Sequence, residues 1–255
     1  MENQNTGTRI FAHRGASEYA PENTLEAFQT AVRMKADGVE LDVQKSRDGE
    51  LVVAHDERLE RVSDGTGFLA DKTLKELKSL HFNRTMPGFG DCRIPTLKEV
   101  FDLLRGTGLM INIELKNSLI AYPGMEEEVI ALAAKEFSLD RIIFSSFSHA
   151  SMVHVKETDR SLICGLLYSA SMVRPWEYAK ALGMDAIHPD FSEVITPGGN
   201  CEAAHREGIL VHTWTVNDEA YMDRVLEEGA DILITNRPDT AAERRDRMKR
   251  MAGKR

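Results

Sequence analysis

The chain has 255 residues, 42% of them hydrophobic and 29% charged, which is enough for a sizeable core and ordinary for a globular protein. Its formal net charge is −9, from 32 basic and 41 acidic residues, and this argues against a general nucleic-acid binder, whose footprint is basic. No apolar run reaches the roughly 18 residues of a membrane-spanning helix, and no basic amphipathic segment stands out, so no stable membrane association is expected.

The first strand candidate is "RIFAH" (9–13). The residues before it lack a charged segment leading into an apolar one, so no signal peptide and a cytoplasmic location are expected. A helix is expected to begin at Asn23, where Glu26 stands at capping-box spacing and Leu25, Phe28 and Val32 recur at helical intervals. The second strand is "GVELDVQ" (38–44). Asp48-Gly49 follows it closely, and Asp-Gly is a tight hairpin signal. "LVVAHD" (51–56) is therefore expected to fold back antiparallel over the end of its predecessor, because parallel neighbours need a crossover. It opens an insertion of about 46–94, rich in turn residues such as Asp64, Gly65, Gly67, Pro87, Gly88 and Gly90.

After Pro95, Thr96 and Glu99 form a second capping box that opens "LKEVFDLLRG", with Gly106 as its stop. Strands are then expected at 109–115, 141–147, 162–168, 185–189, 209–216 and 231–235. Helices are expected near 126–137, 149–157, 174–182, 199–207, 218–228 and 238–251. Setting the hairpin strand aside leaves eight strands alternating with helices, the pattern of a closed (β/α)8 TIM barrel with a small insertion after strand two, here one α/β domain over 1–255. A doubly wound open sheet is the rival, but no GxGxxG or Walker loop follows the first strand. The basic run Arg244, Arg245, Arg247, Lys249 and Arg250 reads as the solvated last helix. Cys92, Cys164 and Cys201 are odd in number and widely spaced, so they read as free thiols in a reducing compartment.

Barrel active sites gather at the C-terminal ends of the strands. His13 and Arg14 close strand one, Glu40 and Asp42 lie late in strand two, Glu114 and Lys116 close strand three, and His55 ends the hairpin strand over the same rim. Glu40 and Asp42 are two residues apart, so both face one way. Two carboxylates about 5 Å apart repel by about 3 kcal/mol at an effective dielectric near 20. A shared proton, basic neighbours or a metal ion must offset this, and a hard divalent cation such as Mg²⁺ or Ca²⁺ does it best. Clustered His or Cys ligands for a structural zinc are lacking. The two histidines suit an acid and a base flanking a scissile bond. His81, His149, His154 and His205 read as surface or core residues. His188, Trp214 and Phe147 are candidates for the substrate pocket, with core packing as the alternative reading of each.

The stretches "AHRGASEYAPENTLEAF", "GVELDVQKSRDGELVVAHDERLERVSDGTG", "IPTLKEVF", "INIELK" and "VHTWTVN…ADILITNRPD" resemble the glycerophosphodiester phosphodiesterases from about 9 to 240. The resemblance implies a barrel with an insertion after strand two and hydrolysis of a small glycerophosphodiester to glycerol 3-phosphate and an alcohol. It implies metal ligands at Glu40, Asp42 and Glu114, catalytic histidines at His13 and His55, and phosphate contacts from Arg14 and Lys116. Ser63 stands where the family pattern has Thr, which retains the hydroxyl. The middle of the insertion, about 72–92, matches weakly and is expected to shape the alcohol-side pocket.

On this reading His13 is the base and His55 the acid, and the attacking oxygen is water or the glycerol 2-hydroxyl, which would pass through a cyclic phosphate. Two alternatives stand beside it: a lysophospholipase D-type phosphodiesterase on lysophospholipids, and a phosphate-ligand binding protein without catalysis.

Overall fold

The protein is described from a computed structural model, over residues 7–196 and 200–252. The expectation for the residues before the first strand falls largely on 1–6, outside the described residues, as does Gly199 at the expected start of one helix.

Nine strands follow one another: β1 Arg9–His13, β2 Gly38–Lys45, β3 Leu51–Val53, β4 Met110–Leu115, β5 Ile142–Ser146, β6 Ile163–Tyr168, β7 Ala186–Pro189, β8 Leu210–Thr213 and β9 Ile232–Thr235. The sheet runs β1-β9-β8-β7-β6-β5-β4-β2, all parallel, and β1 also pairs with β2, which closes the barrel. β3 is the exception. It pairs antiparallel with the end of β2, Val43 opposite Val53 and Lys45 opposite Leu51, as the Asp-Gly hairpin requires. β1 stops opposite Glu40, so β3 takes over the edge of β2 where β1 leaves it.

The helices are α1 Leu25–Arg33, α2 Leu74–Lys78, α3 Leu97–Leu104, α4 Met125–Glu136, α5 His149–Thr158, α6 Pro175–Ala181, α7 Phe191–Ile195, α8 Asn200–Arg206, α9 Glu219–Glu228 and α10 Pro238–Ala252. α2 and α7 were not expected. At five residues each, they are too short to display a helical period. Thr73 and Glu76 nevertheless form a complete capping box at α2, a signal present in the sequence. The box at Thr96 and Glu99 forms as expected, and Gly106 follows α3 in the left-handed conformation.

Both faces of the barrel strands are buried. Along β2, Val39, Leu41 and Val43 belong to the core shared with the surrounding helices, while Gly38, Glu40 and Asp42 alternate with them toward the barrel interior. Gly38 is needed there, since a Cβ at that position would stand 2.6 Å from the Phe11 ring. The segment between β2 and α3 has its own buried cluster, including Val52, Leu59, Leu69, Leu77, Phe82 and Ile94. Ser63 is fully buried under it. Its hydroxyl donates to the Leu59 carbonyl at 2.9 Å and accepts from Gly65 N at 3.1 Å, so the hydroxyl it shares with Thr is spent on the turn.

Three basic residues of α10 pair with acids outside the helix. Arg244 binds Asp223 and Glu219, Arg247 lies 3.4 Å from Asp223, and Arg245 binds Asp37 at 2.5 Å. Cys92, Cys164 and Cys201 are free and buried. No helix among the described residues is long and apolar enough to cross a membrane.

Candidate active site

Strand register assembles the acids. Glu40 lies beside His13 on one side and Asn112 on the other, and Asp42 lies beside Glu114. One carboxylate oxygen from each of Glu40, Asp42 and Glu114 can be chosen so that all three lie within 4.8 Å of one another, and all three residues are buried.

Each acid has a distinct partner. The Arg14 backbone N donates to Glu40 Oε2 at 2.9 Å, Asn23 Nδ2 donates to Asp42 Oδ2 at 2.9 Å, and Lys116 Nζ donates to Glu114 Oε1 at 3.0 Å. Arg14 Nε also lies 3.4 Å from Asp42 Oδ2. Asp42 Oδ1 is buried with no hydrogen-bond partner among the described residues. An oxygen-only donor set with a buried, unpartnered carboxylate oxygen fits a hard divalent cation.

Burial, then Asp42 and Glu114, push the Glu40 carboxyl well above the usual range. Burial and Asp42 also raise Glu114, against the opposing Lys116. Burial alone would raise Asp42, but Arg14, then His55 and Lys116, outweigh it and hold this carboxyl below its ordinary value. Proximity therefore splits the triad: one acid stays ionised, and the others hold protons more tightly until positive charge arrives.

The two histidines are held differently. His13 Nδ1 is 2.7 Å from Asn236 Oδ1, which leaves Nε2 facing Glu40 Oε2 at 3.9 Å. Burial, then Arg14, lower His13 to about 4. His55 Nδ1 is 2.6 Å from Asp56 Oδ1. Gln44 Nε2 supports that turn by donating to the carbonyls of Ala54, His55 and Asp56 at 2.9, 3.1 and 2.9 Å.

A cavity of about 60 Å³ brings His13, Arg14, Glu40, His55, Asn112 and Glu114 together with Phe147, Leu167, Trp214, Thr215 and Ile234. Asp42 and Lys116 do not line it, but each contacts a residue that does, Asp42 through Arg14 and Lys116 through Glu114. Phe147 and Trp214 meet edge to face with ring centroids 5.6 Å apart. Both lie past the ends of their strands, because β5 and β8 stop earlier than their apolar runs.

His188 does not line this cavity. It is fully buried between strands, its Nε2 2.8 Å from His212 Nδ1, and its ring fills the space a Cβ on Gly165 would need. No residue of 72–92 lines this cavity either; leucines and a phenylalanine of that stretch pack on the cluster of its own segment. A larger cavity of about 640 Å³ opens at the opposite end of the barrel, beside Arg9, Met110 and His205, and holds none of the predicted site residues.

Asn23 was expected to cap α1, but Thr24 does so, accepting from Ala27 N. Asn23 instead adopts a left-handed conformation, φ 57°, that turns its amide to Asp42. Asn236, Asp56, Arg61, Glu22 and Asn112 are the other polar residues at the site; all lie in the stretches that carry the family resemblance, but sequence reading gave none of them a role. Pro-Glu-Asn at 21–23 and His-Asp at 55–56 are compact local signals; the contact of Asn236 with His13 has none.

Residues 13–240 match the glycerophosphoryl diester phosphodiesterase family. A glycerophosphodiester phosphodiesterase of Caldanaerobacter subterraneus subsp. tengcongensis is 41% identical over 235 residues, 91% of this chain and 96% of that protein. One of Bacillus altitudinis is 36% identical, over 95% of this chain and 100% of that protein. The solved structure of an Oleispira antarctica phosphodiesterase in complex with the product sn-glycerol-3-phosphate superimposes with a TM-score of 0.83, at 29% identity, over 93% of this chain and 96% of that one. The chain belongs to the glycerophosphoryl diester phosphodiesterase family, enzymes that hydrolyse glycerophosphodiesters.

Proposed function

We propose that the chain works as a single catalytic barrel over 1–255 that cleaves a small glycerophosphodiester into glycerol 3-phosphate and an alcohol by histidine acid–base catalysis. The observation that carries this reading is the convergence of His13 and His55 with Glu40 and Glu114 on one cavity backed by Asp42.

Glu40, Asp42 and Glu114 would hold a divalent cation, Mg²⁺ or Ca²⁺. When bound, the cation supplies positive charge against the phosphate oxygens. Arg14 and Lys116 add fixed positive charge to the same oxygens, Arg14 from the cavity wall and Lys116 from beside Glu114. Both stay charged: burial would weaken each, and the surrounding carboxylates outweigh it.

His13 is the base. Its Nδ1 is committed to the Asn236 amide oxygen, so the neutral ring presents an unprotonated Nε2 to the attacking oxygen, water or the glycerol 2-hydroxyl. His55 is the acid. Asp56 orients its ring through Nδ1 and leaves Nε2 to protonate the departing alkoxide. Phe147 and Trp214 offer an apolar wall for one end of the substrate. The net charge of −9 favours a small-molecule substrate over nucleic acid, and the proposed location is the cytoplasm.

The test is turnover of glycerophosphocholine beside lysophosphatidylcholine, with chelator and then with added Mg²⁺ or Ca²⁺. The reading expects glycerol 3-phosphate from the first substrate, loss with chelator and recovery with cation. Preference for the lysophospholipid would favour the lysophospholipase D-type activity. Trapping a cyclic phosphate in a single turnover would identify the 2-hydroxyl as the attacking oxygen.

A further inference from the structure

Arg61 lies in the insertion, outside the cavity, and has no role in the chemistry above. Its guanidinium grips two carboxylates at once. Toward Glu22, Nη1 donates to Oε2 and Nη2 to Oε1, both at 2.7 Å. Toward Asp56, Nε donates to Oδ2 at 2.5 Å and Nη2 to Oδ1 at 3.0 Å. Each carboxylate also holds a residue of the active site. Glu22 Oε1 accepts from Arg14 Nη1 at 2.8 Å, and Asp56 Oδ1 lies 2.6 Å from His55 Nδ1. An alternating chain thus runs Asp42, Arg14, Glu22, Arg61, Asp56, His55.

We propose that Arg61 is a positioning residue that, through one bidentate fork on each side, sets Arg14 against the phosphate and His55 against the leaving group together. The inference rests on the acid–base reading of His55.

Isolated surface ion pairs contribute little, because solvent screens them and ordering two long side chains costs entropy. This pair of forks differs in kind. The Glu22 side chain is 14% exposed and that of Asp56 24%, so both carboxylates are largely withdrawn from water although Arg61 itself is 44% exposed. Four N–H bonds on one planar group fix angle as well as distance, which a lysine cannot reproduce. The two carboxylates also come from different parts of the chain: Glu22 from the loop after β1, Asp56 from the insertion. Arg61 thus ties the insertion to the loop after β1 on the side of the catalytic groups, beside the Gln44 contacts and the β2–β3 pairing.

Steady-state kinetics of Arg61→Ala and Arg61→Lys, with melting temperatures, test this. Both variants are expected to melt within a few degrees of the parent. Both should lose at least ~10-fold in kcat/KM, as groups supporting active-site residues from behind commonly do. Glu22→Gln should act mainly on KM, through Arg14, and Asp56→Asn mainly on kcat, through His55. Combined with Arg61→Lys, each should add little to the loss the lysine variant already shows, since one connected unit is being broken twice.

Arg61→Ala within twofold of the parent, full recovery in Arg61→Lys, or strictly additive losses would overturn the proposal. Should Arg61→Ala fail to fold, the lysine variant and its two double variants decide. His55→Ala separates the premises: if it retains turnover, the acid–base reading fails. If it abolishes turnover while Arg61→Lys matches the parent, only the role of Arg61 fails.

Discussion

His13 Nδ1 stands 2.7 Å from Asn236 Oδ1, although 223 residues separate them, because β9 pairs with β1 and delivers the loop after Thr235 to the same rim. Asn236 is itself held, its backbone N donating to Asn217 Oδ1 at 2.9 Å. An amide oxygen on Nδ1 selects the tautomer with a free Nε2. Asn236→Leu removes that selection without adding charge. We expect kcat to fall by about 10- to 100-fold with KM little changed, since general base catalysis is worth about 10²–10⁴-fold and only its orientation is impaired. Steady-state kinetics on glycerophosphocholine check it. A change in KM alone would place Asn236 in binding.

The contact between Asn23 and Asp42 calls for a variant that respects the backbone. Asn23 has φ 57°, so Ala would add strain to the loss of the amide. Asn23→Gly removes the amide and keeps the conformation free. Cation affinity should drop by about 10-fold, the usual effect of losing a group that orients a ligand. Isothermal titration with Mg²⁺ and Ca²⁺ reads this directly; unchanged affinity would mean that Arg14 alone holds Asp42.

The raised Glu40 carboxyl predicts that cation binding and proton release are coupled. Without cation, folded Glu40 keeps its proton to higher pH than the unfolded chain does. Its contribution to stability is therefore full at low pH and is lost as pH rises through its raised folded value. A cation must displace that proton, so affinity should fall as pH is lowered. Titration calorimetry in buffers of different ionisation enthalpy should find proton release in the parent and less in Glu40→Gln. Equal release in both would assign the proton elsewhere.

His188 and His212 predict a second pH dependence of opposite sign. Burial pushes His188 down to about 3, and burial, then His188 and Arg9, push His212 well below its ordinary value. Unfolded rings take up protons near pH 6.5, so below that pH the unfolded state binds more protons and stability falls. The loss is at most about 1.4 kcal/mol for each pH step and each ring, and for His188 it continues toward its folded value. Thermal melts between pH 7 and 5 should show a shallower decline in His188→Gln than in the parent. Parallel declines would show that other groups govern acid unfolding.

Much of this protein is legible in its sequence because the signals are local. Strand alternation placed Glu40 and Asp42 on one face, Asp48-Gly49 turned β3 back, and Thr96 with Glu99 began α3. These outcomes depend on neighbours within a few residues, where steric limits and hydrogen-bonding geometry leave few choices. What only the tertiary structure decided is which residues meet across strands and loops. Asn23 left its expected cap for Asp42, and His188 turned to His212 instead of the cavity. Asn236 found His13, and Arg61 found Glu22, partners at the rim that no spacing announces. Those pairings follow from register and barrel closure, which bring distant backbone segments within hydrogen-bond reach. Only there can the burial of a polar group be matched to a particular partner.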